Sequence, residues 1–355
     1  MSLLDDKTEI GKLLIKLVEV YTPPGSEPKL HNILFELARK LGFEDTYVDD
    51  VGNFFTSRGK GPIKILLASH LDTVPGKLEV SFDGKVVRGR GAVDAKGPFL
   101  SFLLAASEVS ESISGVKVQV AGLVREELDG LGAKHLVEEG FKADHVLIGE
   151  PTNLGIAIAY RGSITAEARI RARGGHSSAP YIGESALDKI LNFLLDVKRN
   201  FAGSSYDEVT SAITTLSAGD WPGRLPEEAR AHLNIRFPRK YELDAVMGDL
   251  LGLAERHGVE LKIIDSTPPV EVGLNSKMVR AMIRGCLRNG LKPRLVKKTG
   301  TSDMNTLAEL TNSIAAFGPG DSRLAHTRDE EISVDALIKA SKIIATALLE
   351  LAKSP

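Results

Sequence analysis

The chain has 355 residues, 43% of them hydrophobic and 26% charged, with a formal net charge of −2. That length suits two domains of ordinary soluble type, and the even charge balance offers no electrostatic footprint for nucleic acid or an anionic membrane surface. No apolar run approaches the roughly 18 residues of a membrane span, and the single cysteine, Cys286, excludes an internal disulfide and suits a reducing, cytoplasmic compartment.

The opening MSLLDDKTEIGKLL is acidic early and lacks the basic start and apolar centre of a secretory signal. Helical periodicity follows over 8–21 and 27–41, with YTPPGSEP between as a breaker. The segments IKILLAS (63–69), VKVQVAGLV (116–124) and ADHVLIGE (143–150) are short, apolar and rich in β-branched residues, and each ends in polar residues. Helices predicted over 95–110 and 130–139 separate them, so the first part of the chain reads as an α/β sheet with parallel character.

Near residue 161 the pattern changes. SITAEARIRARG (163–174) alternates with period two, as a strand with one wet face does. A helix is predicted over 184–200, strands near 209–217 and 229–237, a helix over 242–257 and a strand over 259–265. The order β-α-β-β-α-β is ferredoxin-like. A helix (275–289), a strand (313–317) and a last helix (333–352) then resume the first pattern. The expected organisation is a discontinuous α/β domain, 1–161 plus 269–355, with an inserted α+β domain over 162–268.

The chemistry concentrates where apolar strands stop. In ILLASHLDTVPG (65–76) the buried run ends at His70 and Asp72, two polar side chains at a strand's C-terminal tip, where open α/β sheets bind their ligands. Asp94 in GRGAVDAKG, Glu126 and Glu127 in VREELDG, Glu150 in IGEPTN and His326 in GPGDSRLAHTRDEE are further metal-type ligands. Each has an ordinary reading alone: a satisfied strand-end histidine, a solvated acidic pair, a turn-forming aspartate. GRGAVDAKG also lacks the GxxxxGK[ST] order of a phosphate loop. Their repetition at successive strand ends points instead to a metal. Two imidazoles and several carboxylates suit zinc or a similar divalent ion, with enough ligands for two ions sharing one carboxylate.

In order, SHLDTVP, GRGAVDAKG, REELDGLGA, GEPT, GGHSSAP and GPG followed by His326 resemble the dizinc amidohydrolase family of acetylornithine deacetylase, succinyl-diaminopimelate desuccinylase, carboxypeptidase G and aminoacylase. The resemblance spans nearly the whole chain. It implies a zinc-peptidase-like α/β catalytic domain with an inserted ferredoxin-like lid and dimerisation domain. It implies two divalent ions, Zn2+ or Co2+, with His70 and Glu150 on one, Glu127 and His326 on the other, and Asp94 bridging. Asp72 would orient the His70 ring, Glu126 would be the general base, and the peptide bond after Asp94 would be cis. His176 of GGHSSAP would donate to the oxyanion in the sister subunit's site, which implies a homodimer through the inserted domain. Arg161, Arg236 and the TGTSD loop, with Gly300 and Thr301, would hold a substrate carboxylate. From the residues alone, His176 reads as a surface-loop histidine and the two arginines as members of surface ion pairs.

Within the family, Met304-Asn305 after GTSD and AGDWPGRLP at 218–226 depart from the desuccinylase pattern. GEPTNL, WPGRLPEEARAHLNIR and KTGTSDMN resemble the branch that releases lysine or ornithine from the C-terminal glutamate of a small acidic carrier protein, in lysine and arginine biosynthesis. Arg169, Arg171, Arg173, Arg224 and Lys297-Lys298 are the residues for a basic rim, or for a plain solvated face. Two other functions stay open: a deacylase or carboxypeptidase acting on free N-acetyl-lysine or N-acetyl-ornithine, and a non-catalytic protein that binds metal or amino acid. The intact Glu126 argues against the last.

Overall fold

The computed structural model describes residues 3–109 and 115–353. The chain forms two compact units, one of Met1–Ala159, Val272–Lys297 and Ser302–Pro355, the other of Tyr160–Glu271 with Lys298–Thr301. The insertion expected over 162–268 therefore has a second contribution from the chain just before Ser302. Of the helix expected over 95–110, Gly97–Glu108 is helical and residue 110 lies outside the described residues.

The first unit is organised by a mixed sheet. Seven of its nine strands run in the order Asp45–Val48, Phe54–Arg58, Val116–Leu123, Ile63–His70, His145–Ile148, Ile314–Ala316 and Ile156–Tyr160. Ile63–His70 pairs in parallel with both neighbours, and from Ile65 onward it is buried on both faces, which is why its sequence is continuously apolar rather than alternating. The register sets His70 beside Leu123 and Ala68 beside Ile148. The residues that follow these three parallel strands thus emerge together at one edge.

Helix Gly97–Glu108 is apolar nearly all round and buried nearly all round, between the sheet and the C-terminal helix Val334–Ala352. Helix Lys277–Arg288 is amphipathic, with Met278, Val279, Met282 and Cys286 inward. Gly285 lies where a Cβ would come within 2.6 Å of the Ile343 carbonyl oxygen of Val334–Ala352, so glycine permits the close approach of these helices. Among the described residues, no helix is long and apolar enough to cross a membrane.

The second unit carries a four-stranded antiparallel sheet in the order Thr210–Ala218, Glu228–Phe237, Gly162–Arg171 and Glu260–Thr267. Helices Ala186–Asn200 and Leu243–Arg256 supply the two crossovers, and the arrangement is ferredoxin-like. The alternating inward residues Ile164, Ala166, Ala168 and Ile170 meet Ile190, Phe193, Leu250 and Leu253 of the helices in a core of its own. The fold is thus α/β with an inserted α+β unit, as the alternation of periods in the sequence predicts.

Candidate metal centre

Three of the sheet's parallel strands deliver the site. His70 is the last residue of its strand and is buried. Its Nδ1 lies 3.0 Å from the Asp72 backbone oxygen and 3.5 Å from Asp72 Oδ1, and its Nε2 lies 3.1 Å from Asp94 Oδ1. The buried Asp72 carboxylate also accepts the amides of Glu126 at 3.1 Å and Glu127 at 3.0 Å. One carboxylate therefore fixes both the ring on its own strand and the turn that follows the neighbouring strand.

That turn begins at Arg125, whose φ of +61° is left-handed. The Arg125 amide donates to Glu27 Oε1 at 3.0 Å, and its guanidinium is paired with Asp129. Asp94 sits in the loop before helix Gly97–Glu108, and the Asp94–Ala95 peptide bond is cis. Asp94 Oδ2 lies 3.2 Å from His326 Nε2, which is 2.9 Å from Glu127 Oε1. His326 holds a left-handed φ of +64°, uncommon outside glycine, and so turns its ring back onto the two carboxylates.

Two groups of donors result: His70 with Glu126 and Glu127, and Asp94 with Glu127 and His326, the donor atoms of each lying within 4.8 Å of one another. Glu127 belongs to both. Glu150, expected to share an ion with His70, is in neither group; it follows strand His145–Ile148, and its charge acts on the Glu126 carboxyl.

The electrostatics show a cluster short of positive charge. Burial opposes a charged His70, but the Asp72 and Asp94 hydrogen bonds outweigh it and hold the ring well above its ordinary value. Hydrogen bonds to Asp94 and Glu127 push His326 up to about 10. Burial works against the Asp94 carboxylate, and the two imidazoles overcome it and hold the group well below its usual range. Burial drives Glu126 well above the carboxylate range against the pull of His70, with Glu150, Asp303 and Glu127 adding to the rise. Burial likewise pushes Asp303 up to about 7. Two imidazoles facing shared carboxylates, one ring anchored through its second nitrogen, are a donor set that fits zinc-like divalent ions.

Three contributors were not legible as such. Asp303 is in the TGTSD loop, two residues beyond Thr301, and its spacing gives no sign of a place beside the metal-type ligands. Glu27 and Glu330 are buried, yet each stands among polar residues, Glu330 in an acidic run that reads as solvated surface. Nothing local in the sequence marks them.

The remaining expected residues belong to the second unit. Arg161 is buried and donates from Nη1 to Thr210 Oγ1 at 3.1 Å and from Nη2 to the backbone oxygens of Arg236, at 2.7 Å, and Glu208. Arg236 donates from Nε to Asn234 Oδ1 at 2.8 Å and from Nη1 to Thr301 Oγ1 at 3.4 Å. Burial, then the neighbouring Arg161 charge, lowers the Arg236 pKa. Gly300 adjoins Thr301 in the Lys298–Thr301 segment. His176 is exposed in a short strand, Gly175–His176, paired with Arg224–Leu225. Its Nδ1 accepts the Ser178 amide at 3.1 Å, which in the neutral ring leaves the proton on Nε2. Within the expected basic rim, Arg169 is paired with Glu228 and Arg224 with Asp220.

Comparison with known proteins places this geometry in context. The model of peptidase family M20/M25/M40 matches residues 66–350. Proteins named LysW-lysine/LysW-ornithine hydrolase from Saccharolobus islandicus and Sulfurisphaera tokodaii are 34% identical, each over 97% of this chain and 96% of their own length. Among solved structures, a tripeptidase from Staphylococcus aureus superposes with a TM-score of 0.82 at 20% identity, covering 98% of this chain and 99% of that one. An M20 family metallo-carboxypeptidase from Sulfolobus solfataricus does so with a TM-score of 0.79 at 18% identity, covering 97% and 99%. These structural likenesses are ones of fold.

Proposed function

The chain belongs to peptidase family M20/M25/M40, and from that premise we propose that it is a cytoplasmic enzyme that hydrolyses the amide joining lysine or ornithine to the C-terminal glutamate of a LysW-type acidic carrier protein. The chemistry rests on one observation: Asp94 lies between two imidazoles, with the half-buried Glu126 carboxyl within reach of His70. Full-length similarity to the LysW-lysine/LysW-ornithine hydrolases supports the substrate class.

His70 and Glu150 would hold one ion, Glu127 and His326 the other, and Asp94 both. Zn2+ is the natural choice and Co2+ a workable substitute. When bound, such ions polarise the scissile carbonyl and lower the pKa of water. Asp72 keeps His70 Nδ1 occupied, so that Nε2 faces the site. Glu126 would take the proton of the attacking water and pass it to the departing amine nitrogen. His176, with Nδ1 engaged by Ser178, offers Nε2–H to the oxyanion. Arg236 grips a substrate carboxylate as a planar donor pair. Arg161 also holds the Arg236 backbone through Nη2, so it braces the strand that presents Arg236, and both arginines remain the proposed carboxylate holders. Release of free lysine from a glutamate-linked conjugate, and its loss on chelation, tests this reading.

A homodimer is part of the proposal. The terminal strand Thr210–Ala218 leaves Ile213 and Leu216 exposed, and helix Ala186–Asn200 leaves Leu191 and Leu195 exposed. An open strand edge with apolar side chains favours pairing with a second copy. The double variant Ile213→Lys/Leu216→Lys is expected to sediment as a monomer, keep its circular dichroism and lose at least about tenfold in activity, because His176 then lacks a partner site. A monomeric variant with full activity would remove His176 from the partner's chemistry.

A further inference from the structure

We infer that Glu330 is a positioning residue of the metal centre: its Oε1 fixes the backbone of the loop that carries Asp94, and so keeps the Asp94 carboxylate between His70 and His326. The inference rests on the dinuclear reading of the site.

Glu330 is 1% exposed. Its Oε1 accepts the amides of Gly91 at 2.9 Å, Val93 at 3.0 Å and Asp94 at 3.2 Å. Its Oε2 accepts Arg90 Nη1 at 2.8 Å, and its backbone oxygen accepts the Gly89 amide at 3.1 Å. Arg90 is itself held, through Nε, by the Gly76 carbonyl at 3.0 Å. Gly91 adopts a φ of +86°, a conformation glycine takes at little cost, and three nearby amides converge there on one oxygen.

Such a concentration of donors is more than burial of one carboxylate requires. An ion pair with Arg90 would satisfy the charge, and the three amides go beyond it. The place of Glu330 gives the reason. It lies four residues beyond His326, so the segment that supplies one imidazole also clasps the loop that supplies the carboxylate facing it. Asp94 is tied at both ends, its side chain to the two histidines and its amide to Glu330. A small rotation of this loop would move Oδ1 and Oδ2 away from both rings together, and metal sites are sensitive to such outer contacts.

Two variants separate reach from charge. Glu330→Gln keeps an oxygen at the length needed for the three amides and removes the charge. Glu330→Asp keeps the charge and withdraws the oxygen by one methylene. The affinity of the more weakly held Zn2+ is measured by chelator competition, and the visible spectrum of the Co2+-loaded protein is recorded. E330Q, whose amide nitrogen faces Arg90 in place of Oε2, is expected to weaken binding less than E330D, and E330D to weaken it by at least about tenfold with a changed spectrum. The reverse order would assign Glu330 a purely electrostatic role and overturn the inference. So would a lowered melting temperature in both variants with unchanged affinity. Amide hydrogen exchange in the Zn2+-loaded unsubstituted protein gives a second reading. Protection is expected at Gly91, Val93 and Asp94, and fast exchange there overturns the inference even if E330D does not fold. An unsubstituted protein that binds one ion only overturns the dinuclear reading itself, before any variant is compared.

Discussion

Glu126→Gln is expected to lower kcat by about 10²–10⁴ while the protein keeps its bound metal. The side chain keeps its size, and the Glu126 amide that Asp72 holds is untouched, so the turn presenting Glu127 stays in place. What disappears is the capacity to take a proton. A carboxylate can accept the water's proton, and an uncharged amide cannot. The check is the rate of amide hydrolysis beside metal content on the same preparation. Near-normal turnover would remove Glu126 from the chemistry. Loss of an ion together with the rate would make Glu126 a ligand, since its carboxylate also stands within reach of His70 and Glu127.

Asp94→Asn is the second large effect. Each carboxylate oxygen of Asp94 faces a different imidazole, at 3.1 and 3.2 Å. A neutral amide carries a single acceptor atom, and its nitrogen points two hydrogens at the other ring or at a cation. If Asp94 bridges two ions as proposed, the variant is expected to bind the more weakly held ion at least about 10²-fold more weakly, because losing a bridging ligand costs more than losing an outer partner, and its kcat/KM should fall at least as far. Metal titration followed by Co2+ absorption reads the first quantity directly. Two ions bound with undiminished affinity would mean that Asp94 does not bridge.

The parts of this account that depend on a strand's ending were legible in the sequence. His70 and Asp72 announce themselves because an apolar run stops there, and the sheet register explains why the residues after 116–123 and 143–148 arrive at the same edge. The inserted unit was legible from its period-two strands and the order of its elements. Strands Asp45–Val48 and Phe54–Arg58 were not, since the first is four residues long and nowhere fully buried. Glu330 was not, because its burial depends on a loop some 240 positions earlier folding over it. Arg161 was legible from its motif, and the structure adds its contacts with Thr210 and with the Arg236 and Glu208 backbone. Local pattern reports which residues lie at an element's end. It does not report which distant segment will close over a charge.

The central claim is hydrolysis of a carrier-linked amide by a metal centre built on His70, Asp94, Glu127, Glu150 and His326. Its most direct test is release of free lysine by the Zn2+-loaded protein from two substrates in parallel, N-acetyl-lysine and lysine joined to the C-terminal glutamate of the carrier, each with and without chelator. Preference for the conjugate by at least about 10²-fold in kcat/KM, with loss of both activities on chelation, is the predicted result, because binding energy from the remote carrier is available only to the conjugate. Equal or better use of N-acetyl-lysine, or release that survives the chelator, would contradict it.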